Sequence, residues 1–228
     1  MNHCFKEGKL SEARAWLAES GASIGLLQES APPAVRNDLY DQVATPGRVA
    51  WGTGIWTAGH QVRAVAHRAT VPGRAVGGEA PSSEGPITLI SVYGQLEGFL
   101  GTQWSIPNLH RILSDLTPLL ADHKRRGRIV LGGDFNAGVT FDKDRIGGLR
   151  SHSLLFDRLE AFGLKSVIPY RDASDQTVTW KGSGEKQSDY VFVSEELAYR
   201  DPELRWHNEL SDHAAIMVDV DLPEPTGL

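Results

Sequence analysis

Short apolar runs alternate along the chain with longer segments whose apolar residues recur at helical spacing. Residues 24–28 and 87–93 have the length and apolar content of buried strands. Residues 11–20 have the features of a helix, with Ser11 as the N-cap, Trp16 and Leu17 among charged residues, and Gly21 directly after. This alternation predicts strands and helices that pack together.

The rest of the chain continues the same alternation. A helix is predicted to begin at Pro107, and Pro118 inside it predicts a kink or an early end. Residues 70–86, rich in Gly, Pro and Ser, are predicted to form a loop. A further helix is predicted at 151–162, and further strands at 54–58, 62–67, 128–131, 177–180, 190–193 and 214–221. Because long helices separate several strands, the sequence predicts layers of α and β structure.

Composition limits the architecture to an ordinary globular protein. The chain has 228 residues, a formal net charge of −6 and 40% hydrophobic residues. This length suits one sizeable core, so we expect a single domain over residues 1–222 and a short tail at 223–228. Apolar stretches such as 24–27 and 214–218 fall far short of the roughly 20 residues of a membrane span. Charged residues are spread through the first twenty residues, so the apolar core of a secretory signal cannot be fitted there. We therefore expect a cytoplasmic protein without membrane contact.

Cysteine count and charge exclude two further classes. The single cysteine, Cys4, excludes an intrachain disulfide and a multi-cysteine zinc site. The acidic total argues against a protein that coats nucleic acid through bulk electrostatics. The one basic cluster, residues 124–128, follows a helical pattern, where cations complement the negative end of the helix dipole. An enzyme that binds a phosphate locally stays compatible with this charge.

Polar residues stand at the ends of the apolar strands or in the turns beside them, where layered sheets usually carry their chemistry. Each has an ordinary explanation in turn chemistry when taken alone. As a set they are harder to explain in that way. The set consists of Glu29, Tyr93, Asp134, Asn136, Asp189, Asp212 and His213.

Together these side chains suit the hydrolysis of a phosphate ester. Hard divalent ions such as Mg²⁺ prefer carboxylate and water oxygens, which Glu29, Asp134 and Asp212 offer. An imidazole such as His213 exchanges protons near neutral pH, and a carboxylate such as Asp189 orients it. Positioning and charge neutralisation supply most of phosphoryl-transfer catalysis, so this inventory predicts a phosphoesterase.

Four ordered blocks of the chain resemble the signature blocks of the endonuclease/exonuclease/phosphatase superfamily. They are Leu27-Gln28-Glu29, Gly133-Asp134-Phe135-Asn136, Ser188-Asp189-Tyr190-Val191-Phe192-Val193-Ser194 and Leu210-Ser211-Asp212-His213. The resemblance implies a four-layer α/β sandwich, with two mixed β-sheets packed face to face, helices on the outer faces and the site at one rim.

The resemblance also implies a role for each site residue. Glu29 would hold the catalytic Mg²⁺ or Mn²⁺, and Asp212 would help to hold it or a second ion. Asp134 would orient or deprotonate the attacking water at the metal, and Asn136 would donate a hydrogen bond to the scissile phosphate. Asp189 would orient His213, which would act as proton carrier or oxyanion stabiliser. Tyr93, in Val92-Tyr93-Gly94, is similar to the superfamily's phosphate-contacting tyrosine, although a tyrosine that closes a strand is as often a packing residue.

The amino terminus departs from the superfamily pattern. Members begin with a central strand that ends in Trp-Asn or Phe-Asn, and that asparagine helps to bind metal. This sequence begins with Met1-Asn2, immediately after the expected position of that asparagine. We therefore expect either a true start further upstream or a sheet with two exposed strand edges, weakened metal affinity and lowered stability. A partner strand could fill such a gap, and Asn2 could partly substitute as a ligand.

The substrate is the least constrained part of the prediction. Loops 94–106 and 137–150 carry Phe99, Trp104, Lys143, Arg145 and Arg150, which suit a nucleic-acid strand, although Phe99 and Trp104 could instead fill the core. We predict a divalent-metal-dependent phosphodiester hydrolase, a nuclease acting on DNA or RNA. The alternatives are a phosphomonoesterase for a small phosphorylated molecule and a non-catalytic binding module.

Overall fold

A computed structural model gives the positions of most of the chain. It describes residues 7–30, 39–43, 51–59, 61–82, 84–99, 102–124, 128–142, 150–172, 174, 177–182 and 184–221. Several sequence predictions fall outside these residues: those on Asn2, Cys4, Arg125, Arg126, Lys143, Arg145 and the tail at 223–228. The side chains of Phe99, Trp104 and Lys124 also lie outside the described part.

Three α-helices and fifteen strands follow one another in the described residues. The helices are α1 Glu7–Glu19, α2 Pro107–Lys124 and α3 Ser151–Ala161, with a 3₁₀ turn at Val139–Asp142. The strands of the first half are β1 Ile24–Ser30, β2 Leu39–Val43, β3 Trp51–Thr57, β4 Arg63–Ala64, β5 Ala75–Ala80, β6 Ile87–Tyr93, β7 Glu97–Phe99 and β8 Thr102–Ser105. Those of the second half are β9 Ile129–Asp134, β10 Leu164–Ser166, β11 Trp180–Lys181, β12 Glu185–Lys186, β13 Asp189–Ser194, β14 Tyr199–Arg205 and β15 Ala215–Val220.

A six-stranded mixed sheet with the order β10-β13-β9-β6-β5-β4 forms the centre of the molecule. Strands β6 and β9 are parallel, and β13 is antiparallel to β9. Successive side chains of a strand point to opposite faces. Along β13, Tyr190 and Phe192 therefore lie on one face, here called the outer face, and Asp189 and Val191 lie on the other, the inner face.

The outer face packs against α2 and α3 through the largest core cluster. Helix α2 contributes Leu109, Leu113 and Leu116, which recur at helical spacing and are buried. Phe156 of α3 packs against Phe135, Tyr190 and Phe192, with ring centroids 4.8 to 6.4 Å apart. Aromatic rings bury the most apolar area per residue, so this face is the main hydrophobic support of the sheet.

The inner face is covered by two smaller groups of strands. The sheet β1-β3-β2 packs there through Ile24 and Leu26, and the β14-β15 hairpin packs there through Ile216 and Val218. Helix α1 covers the other side of β1 and β3 with Leu10, Ala13 and Leu17, which are buried beside Leu27 and Trp56. The layers are therefore helix, sheet, sheet and helix, which is the α/β sandwich that the resemblance implies.

Local chemistry fixes the ends of two helices. Gly21, with φ of 79°, follows α1, and the hydrogen bonds Ala22 N to Leu17 O and Gly21 N to Ala18 O close it in a Schellman motif. At α3, the carboxylate of Asp142 accepts hydrogen bonds from the backbone N–H groups of His152 and Ser153, at 3.0 and 2.7 Å. That carboxylate caps the helix and ties it to the 3₁₀ turn before it.

The loop predicted at residues 70–86 is wrong, and the early helix end predicted at Pro118 is not observed. Residues 70–86 contain β5, because its pairing with β6 from Ala75↔Val92 to Ala80↔Ile87 outweighs the weak strand propensity of its glycines. Helix α2 continues through Pro118 to Lys124, because Leu119 and Leu120 beyond the proline are buried in the core. The helix predicted at 11–20 begins earlier, at Glu7, and β14 is an exposed strand that the apolar pattern does not indicate.

In the described residues, no helix has the length and apolarity to cross a membrane.

Candidate active site

Three of the predicted site residues lie side by side at one end of the inner face. In the parallel pair β6 and β9, Tyr93 is opposite Asp134, and in the antiparallel pair β9 and β13, Asp134 is opposite Asp189. All three are buried. The three residues are far apart in the sequence, and the register of strand pairing brings them together and sets the distances between them.

Glu29 joins this row from the facing sheet. The pairing of β1 with β3 shifts register between Leu27 and Ser30, and Glu29 lies within that bulge with φ of 48°. Its Oε1 accepts a hydrogen bond of 2.5 Å from the hydroxyl of Tyr93. The bulge therefore brings a carboxylate to the inner face of the central sheet.

Two glycines allow the strands to approach closely at the site. A Cβ on Gly133, which has φ of 146°, would lie 2.0 Å from the carbonyl oxygen of Val92. A Cβ on Gly94 would lie 2.1 Å from the carbonyl oxygen of Phe135. Neither position leaves room for a side chain. Glycine at 133 and 94 is therefore required for the close approach of the strands that places Tyr93 beside Asp134.

Asn136 holds the carboxylate of Asp134 from two directions. Its backbone N–H donates to Oδ1 at 2.9 Å, and its side-chain Nδ2 donates to Oδ2 at 3.0 Å. Asn136 has φ of 48°, a conformation that asparagine tolerates better than most residues. The amide therefore fixes the orientation of Asp134.

Asp189 and His213 form a buried pair next to Asp134. Nδ1 of His213 lies 2.8 Å from Oδ2 of Asp189, which also accepts a hydrogen bond of 3.0 Å from Ser188 Oγ. A β-bridge between His213 and Trp180 holds the backbone of the histidine. Because Asp189 accepts a hydrogen bond from Nδ1, it orients the ring and leaves Nε2 as the atom for chemistry.

Asp212 lies at the rim of this arrangement. Its side chain is 43% exposed, and its Oδ1 is 4.0 Å from Nε2 of His213. The indole N–H of Trp180 donates a hydrogen bond of 2.9 Å to its Oδ2. Asp212 is therefore a neighbour of the imidazole that solvent can reach.

Burial and mutual charge shift the pKa values in the site. Burial and the nearby Asp189 raise the pKa of Asp134 to about 8. Burial alone would lower the pKa of His213, but the charge of Asp189 and its hydrogen bond more than reverse this and raise the pKa to about 9. Burial, followed by the charge of Glu29, raises the pKa of Tyr93 well above its ordinary range. Such shifts are typical of functional sites.

This arrangement agrees with a family assignment made from the sequence. The model of the endonuclease/exonuclease/phosphatase family matches residues 4–213. The chain belongs to this family. Endonucleases, exonucleases and phosphatases, for which the family is named, all cleave phosphoester bonds. No curated protein sequence matches the chain significantly.

Several solved structures have a fold similar to that of this chain. The endonuclease domain of TRAS1, a telomere-specific non-LTR retrotransposon, is 19% identical, with a TM-score of 0.66 over 98% of this chain and 97% of that one. An AP endonuclease from Archaeoglobus fulgidus is 13% identical, with a TM-score of 0.67 over 97% of this chain and 98% of that one. A 3'-5' exonuclease (NExo) from Neisseria meningitidis is 16% identical, with a TM-score of 0.65 over 96% of this chain and 98% of that one. At these identities the likeness establishes the α/β sandwich.

Among the residues that the structure describes, one group of two carboxylates and an imidazole has the geometry to hold a metal ion. Ligand atoms of Asp134, Asp189 and His213 all lie within 4.8 Å of one another. This set differs from the predicted ligands Glu29, Asp134 and Asp212. The ligand atoms of the buried group are hydrogen-bonded within the protein, as is Oε1 of Glu29, which adds a further carboxylate from the facing sheet. The oxygen-rich set around Glu29 and Asp134 fits a hard cation better than a set that includes an imidazole nitrogen.

Sequence reasoning missed residues that support the family's motif positions. Trp180 was predicted only as the end of a strand, yet it contacts both Asp212 and His213. Thr179, also within that strand, accepts hydrogen bonds at Oγ1 from the backbone of Ser188 and Asp189. The strand predicted at residues 177–180, between two motif blocks, was the available signal, although in the structure β11 begins only at Trp180. Arg74, buried beside Tyr93, had no signal because its segment was predicted to be a loop.

Proposed function

We propose that the chain is a divalent-metal-dependent phosphodiesterase that hydrolyses DNA or RNA by in-line attack of an activated water. The observation that carries this proposal is the row of Tyr93, Asp134 and Asp189 on one face of the sheet, with His213 held by Asp189 at 2.8 Å. A general base, an oriented imidazole and a hydroxyl at one sheet end are the groups that in-line hydrolysis of a phosphodiester needs.

In this mechanism Asp134 orients the water and accepts its proton as the water oxygen attacks phosphorus. Its raised pKa makes it a stronger base than an exposed aspartate once it is ionised. The second N–H of the Asn136 Nδ2 group, which does not bind Asp134, donates a hydrogen bond to a phosphate oxygen. The hydroxyl of Tyr93, which donates to Glu29 in the structure, exchanges that bond for one to a phosphate oxygen when substrate binds. The bond from phosphorus to the leaving oxygen breaks as the new bond forms, and the leaving oxygen takes up a proton from solvent water to become a hydroxyl.

His213 serves as the cation of the site in this mechanism. Its raised pKa keeps the ring protonated near neutral pH, so Nε2–H donates to a phosphoryl oxygen whose charge grows in the transition state. Asp189 holds the ring at Nδ1 and stabilises its positive charge. Asp212, at the rim and anchored by Trp180, faces the same nitrogen at 4.0 Å.

Glu29, Asp134 and Asp212 are the proposed ligands of Mg²⁺ or Mn²⁺. A bound divalent cation would supply neutralisation of the phosphate charge and stabilise the leaving oxygen. Glu29 fits this role because the β1 bulge directs a carboxylate to the site beside Asp134. A cytoplasmic location and the single domain over residues 1–222 stay predictions.

The test is cleavage by the purified protein with Mg²⁺, Mn²⁺ or EDTA. Plasmid DNA, a duplex with an abasic site, an RNA oligonucleotide and mononucleotides are compared side by side. The proposal expects metal-dependent cleavage of a nucleic acid that Asp134→Asn and His213→Ala abolish, while Asp219→Asn, an acid exposed on β15, retains it. Cleavage that survives both site variants, or that EDTA does not affect, would contradict the proposal.

The same assay separates the two alternatives. A solved structure of similar fold, with a TM-score of 0.64 and 16% identity, is a 3' phosphatase NExo from Neisseria bound to product DNA hairpin. Preference for mononucleotides over oligonucleotides would favour a phosphomonoesterase. Absence of cleavage together with absence of Mg²⁺ binding in calorimetry would favour a non-catalytic module.

A further inference from the structure

A buried arginine lies next to the candidate site on the side of Tyr93. Arg74 immediately precedes β5, and only 6% of its surface is exposed. Its carbonyl oxygen accepts a hydrogen bond of 2.8 Å from the backbone N–H of Tyr93. The centre of its guanidinium lies 5.2 Å from the centroid of the Tyr93 ring, which is a cation–π distance. Arg74 therefore contacts both the backbone and the ring of a site residue.

The guanidinium also binds the side chain of Gln95. Arg74 Nε and Nη2 donate to Gln95 Oε1 at 3.0 and 2.5 Å. Two donors on one oxygen fix the rotation of the carboxamide, because the opposite orientation would direct its NH₂ group at a cation. Gln95 follows Tyr93 by two residues, and its backbone N–H donates to Tyr93 O at 3.2 Å. The turn therefore holds Tyr93, Gln95 and Arg74 together as one unit.

This orientation determines which end of Gln95 is left for a ligand. Its oxygen is saturated by Arg74, and Nε2 makes no hydrogen bond to any residue in the described part of the chain. Gln95 is only partly buried, so that NH₂ group lies where a ligand can reach it. An amide NH₂ is a donor for phosphate oxygens, and such contacts make up much of protein–nucleic-acid recognition.

Burial of a guanidinium is costly unless its hydrogen bonds and charge are used. Carboxylates are concentrated nearby, at Glu29 and Asp134, and both raise the pKa of Tyr93 whereas Arg74 lowers it. Arg74 therefore uses its charge beside these carboxylates and its N–H groups on Gln95, which compensates for its burial.

We propose that Gln95 is a substrate-binding residue whose NH₂ group contacts a phosphate flanking the scissile one, and that Arg74 is the positioning residue that orients it. The inference rests on the proposed function, because it assigns a second phosphate contact to the same site. In this proposal Tyr93 contacts the scissile phosphate and Gln95, two residues further along the chain, contacts the next phosphate. The substrate is therefore a nucleic-acid strand with at least two neighbouring phosphates.

The decisive variant is Gln95→Glu. A carboxylate still accepts both hydrogen bonds from Arg74, so the variant keeps the clamp and its melting temperature should not fall. It replaces the donor NH₂ by an oxygen that repels phosphate. We expect the KM for a labelled oligonucleotide duplex, and its Kd by fluorescence anisotropy in Ca²⁺, to rise roughly ten- to hundredfold. The kcat should change far less than the KM.

Gln61→Glu supplies the matched control. Gln61 is exposed on another loop, and this variant makes the same change in net charge. A KM for Gln95→Glu within twofold of the KM for Gln61→Glu would overturn the inference. A large fall in the melting temperature of Gln95→Glu would also overturn it, because the clamp predicts a stable pair with Arg74.

Arg74 is tested through its coupling to Gln95. Arg74→Met should raise the KM in the wild-type background and have much less effect in a Gln95→Ala background, because it acts through the amide. Arg200→Lys, on the exposed β14 strand, is the control arginine. Additive effects of Arg74→Met and Gln95→Ala on log KM would refute the positioning role.

Cleavage by the wild type without any effect of Gln95 variants would refute this inference alone, whereas inactivity of the wild type would refute the proposed function.

Discussion

The two faces of the six-stranded sheet differ in what they contain. On the outer face, the aromatic rings of Phe135, Tyr190 and Phe192 pack against Phe156 of α3, and leucines of α2 belong to the same cluster. The inner face has smaller aliphatic residues and a cavity of about 740 Å³ between β1 and β15. It also carries the candidate site and a buried polar network. The same three strands, β6, β9 and β13, serve both faces.

The polar network illustrates the difference. Ser91 Oγ accepts a hydrogen bond of 3.0 Å from Gln28 Nε2, lies 2.8 Å from Thr53 Oγ1, and is close enough to donate to Leu27 O at 3.2 Å. All of these groups are buried directly beneath the Glu29 bulge. Tight apolar packing on one face thus allows the other face to hold polar groups at fixed positions. Changes on the outer face should lower stability with little loss of kcat, whereas changes on the inner face should impair metal binding or catalysis whether or not stability also falls.

Asp134→Asn on the inner face should have the largest effect. The change removes the proposed base, so kcat should fall about a hundred- to ten-thousandfold. The melting temperature without metal should stay the same or rise, because burial disfavours the charged carboxylate. Single-turnover cleavage and calorimetry measure the two effects. A variant with wild-type turnover, or one that is much less stable than the wild type, would contradict the assignment of this inner-face carboxylate to catalysis.

Phe156→Ala on the outer face should show the reverse pattern. Loss of a fully buried ring should lower the free energy of unfolding by about 3–5 kcal/mol. Below its new melting temperature, the variant should keep most of its kcat, because the ring does not contact the site row. Urea denaturation and cleavage assays test this together. A variant that is stable but inactive would mean that the two faces are not separate in function.

Ser91→Ala should have an intermediate effect on stability. The change leaves Gln28 Nε2 and Thr53 Oγ1 without their shared partner, which should cost about 1–3 kcal/mol. Because the network lies beneath the Glu29 bulge, Mg²⁺ affinity by calorimetry should fall as well. Ser114→Ala, at an exposed serine of α2 that donates to His110 O, should cost less than about 0.5 kcal/mol. Equal costs for both serines would refute the role of the network.

The pH dependence of stability should show the smallest effect. Folding raises the pKa of His213 from 6.5 to about 9, so the folded state binds this proton more tightly than the unfolded state. The resulting stabilisation is fully present below pH 6.5 and is lost as the pH rises through about 9. Asp189→Asn removes the main cause of the raised pKa. The melting temperature of the wild type in EDTA should therefore exceed that of Asp189→Asn by a few degrees at low pH, and the gap should narrow on raising the pH. A constant gap would contradict the assignment.

Motifs and strand patterns in the sequence predicted much of the fold. The strand at residues 87–93 agrees with β6, and the helix at 151–162 agrees with α3 to within one residue. Alternation along Asp-Tyr-Val-Phe-Val predicts which of these residues share a face. The predicted positions of Tyr93, Asp134 and Asp189 at strand ends were sufficient to group these residues in one site. The register between the paired strands then sets the distances between them. Their catalytic roles stay proposals.

The remaining features depend on tertiary contacts that local sequence does not encode. The bulge at Glu29 arises where β1 and β3 lose register, and neither strand alone specifies it. Strand β5 has weak propensity and exists because β6 is beside it. Arg74 and Gln95 are 21 positions apart and meet only through this pairing. Burial and charge shift the pKa values of Asp134 and His213, and both depend on the assembled layers.

The left-handed backbone at Glu29 has an evolutionary consequence. A glutamate with φ of 48° is strained by an amount that glycine would relieve, so in Glu29→Gly this relief should offset part of the stability lost with the Tyr93 hydrogen bond, while the site loses a carboxylate. Lineages that need only the fold would therefore tolerate glycine at this position. Among descendants of this gene, the residue at position 29 would separate copies still selected for chemistry from copies that have become inert.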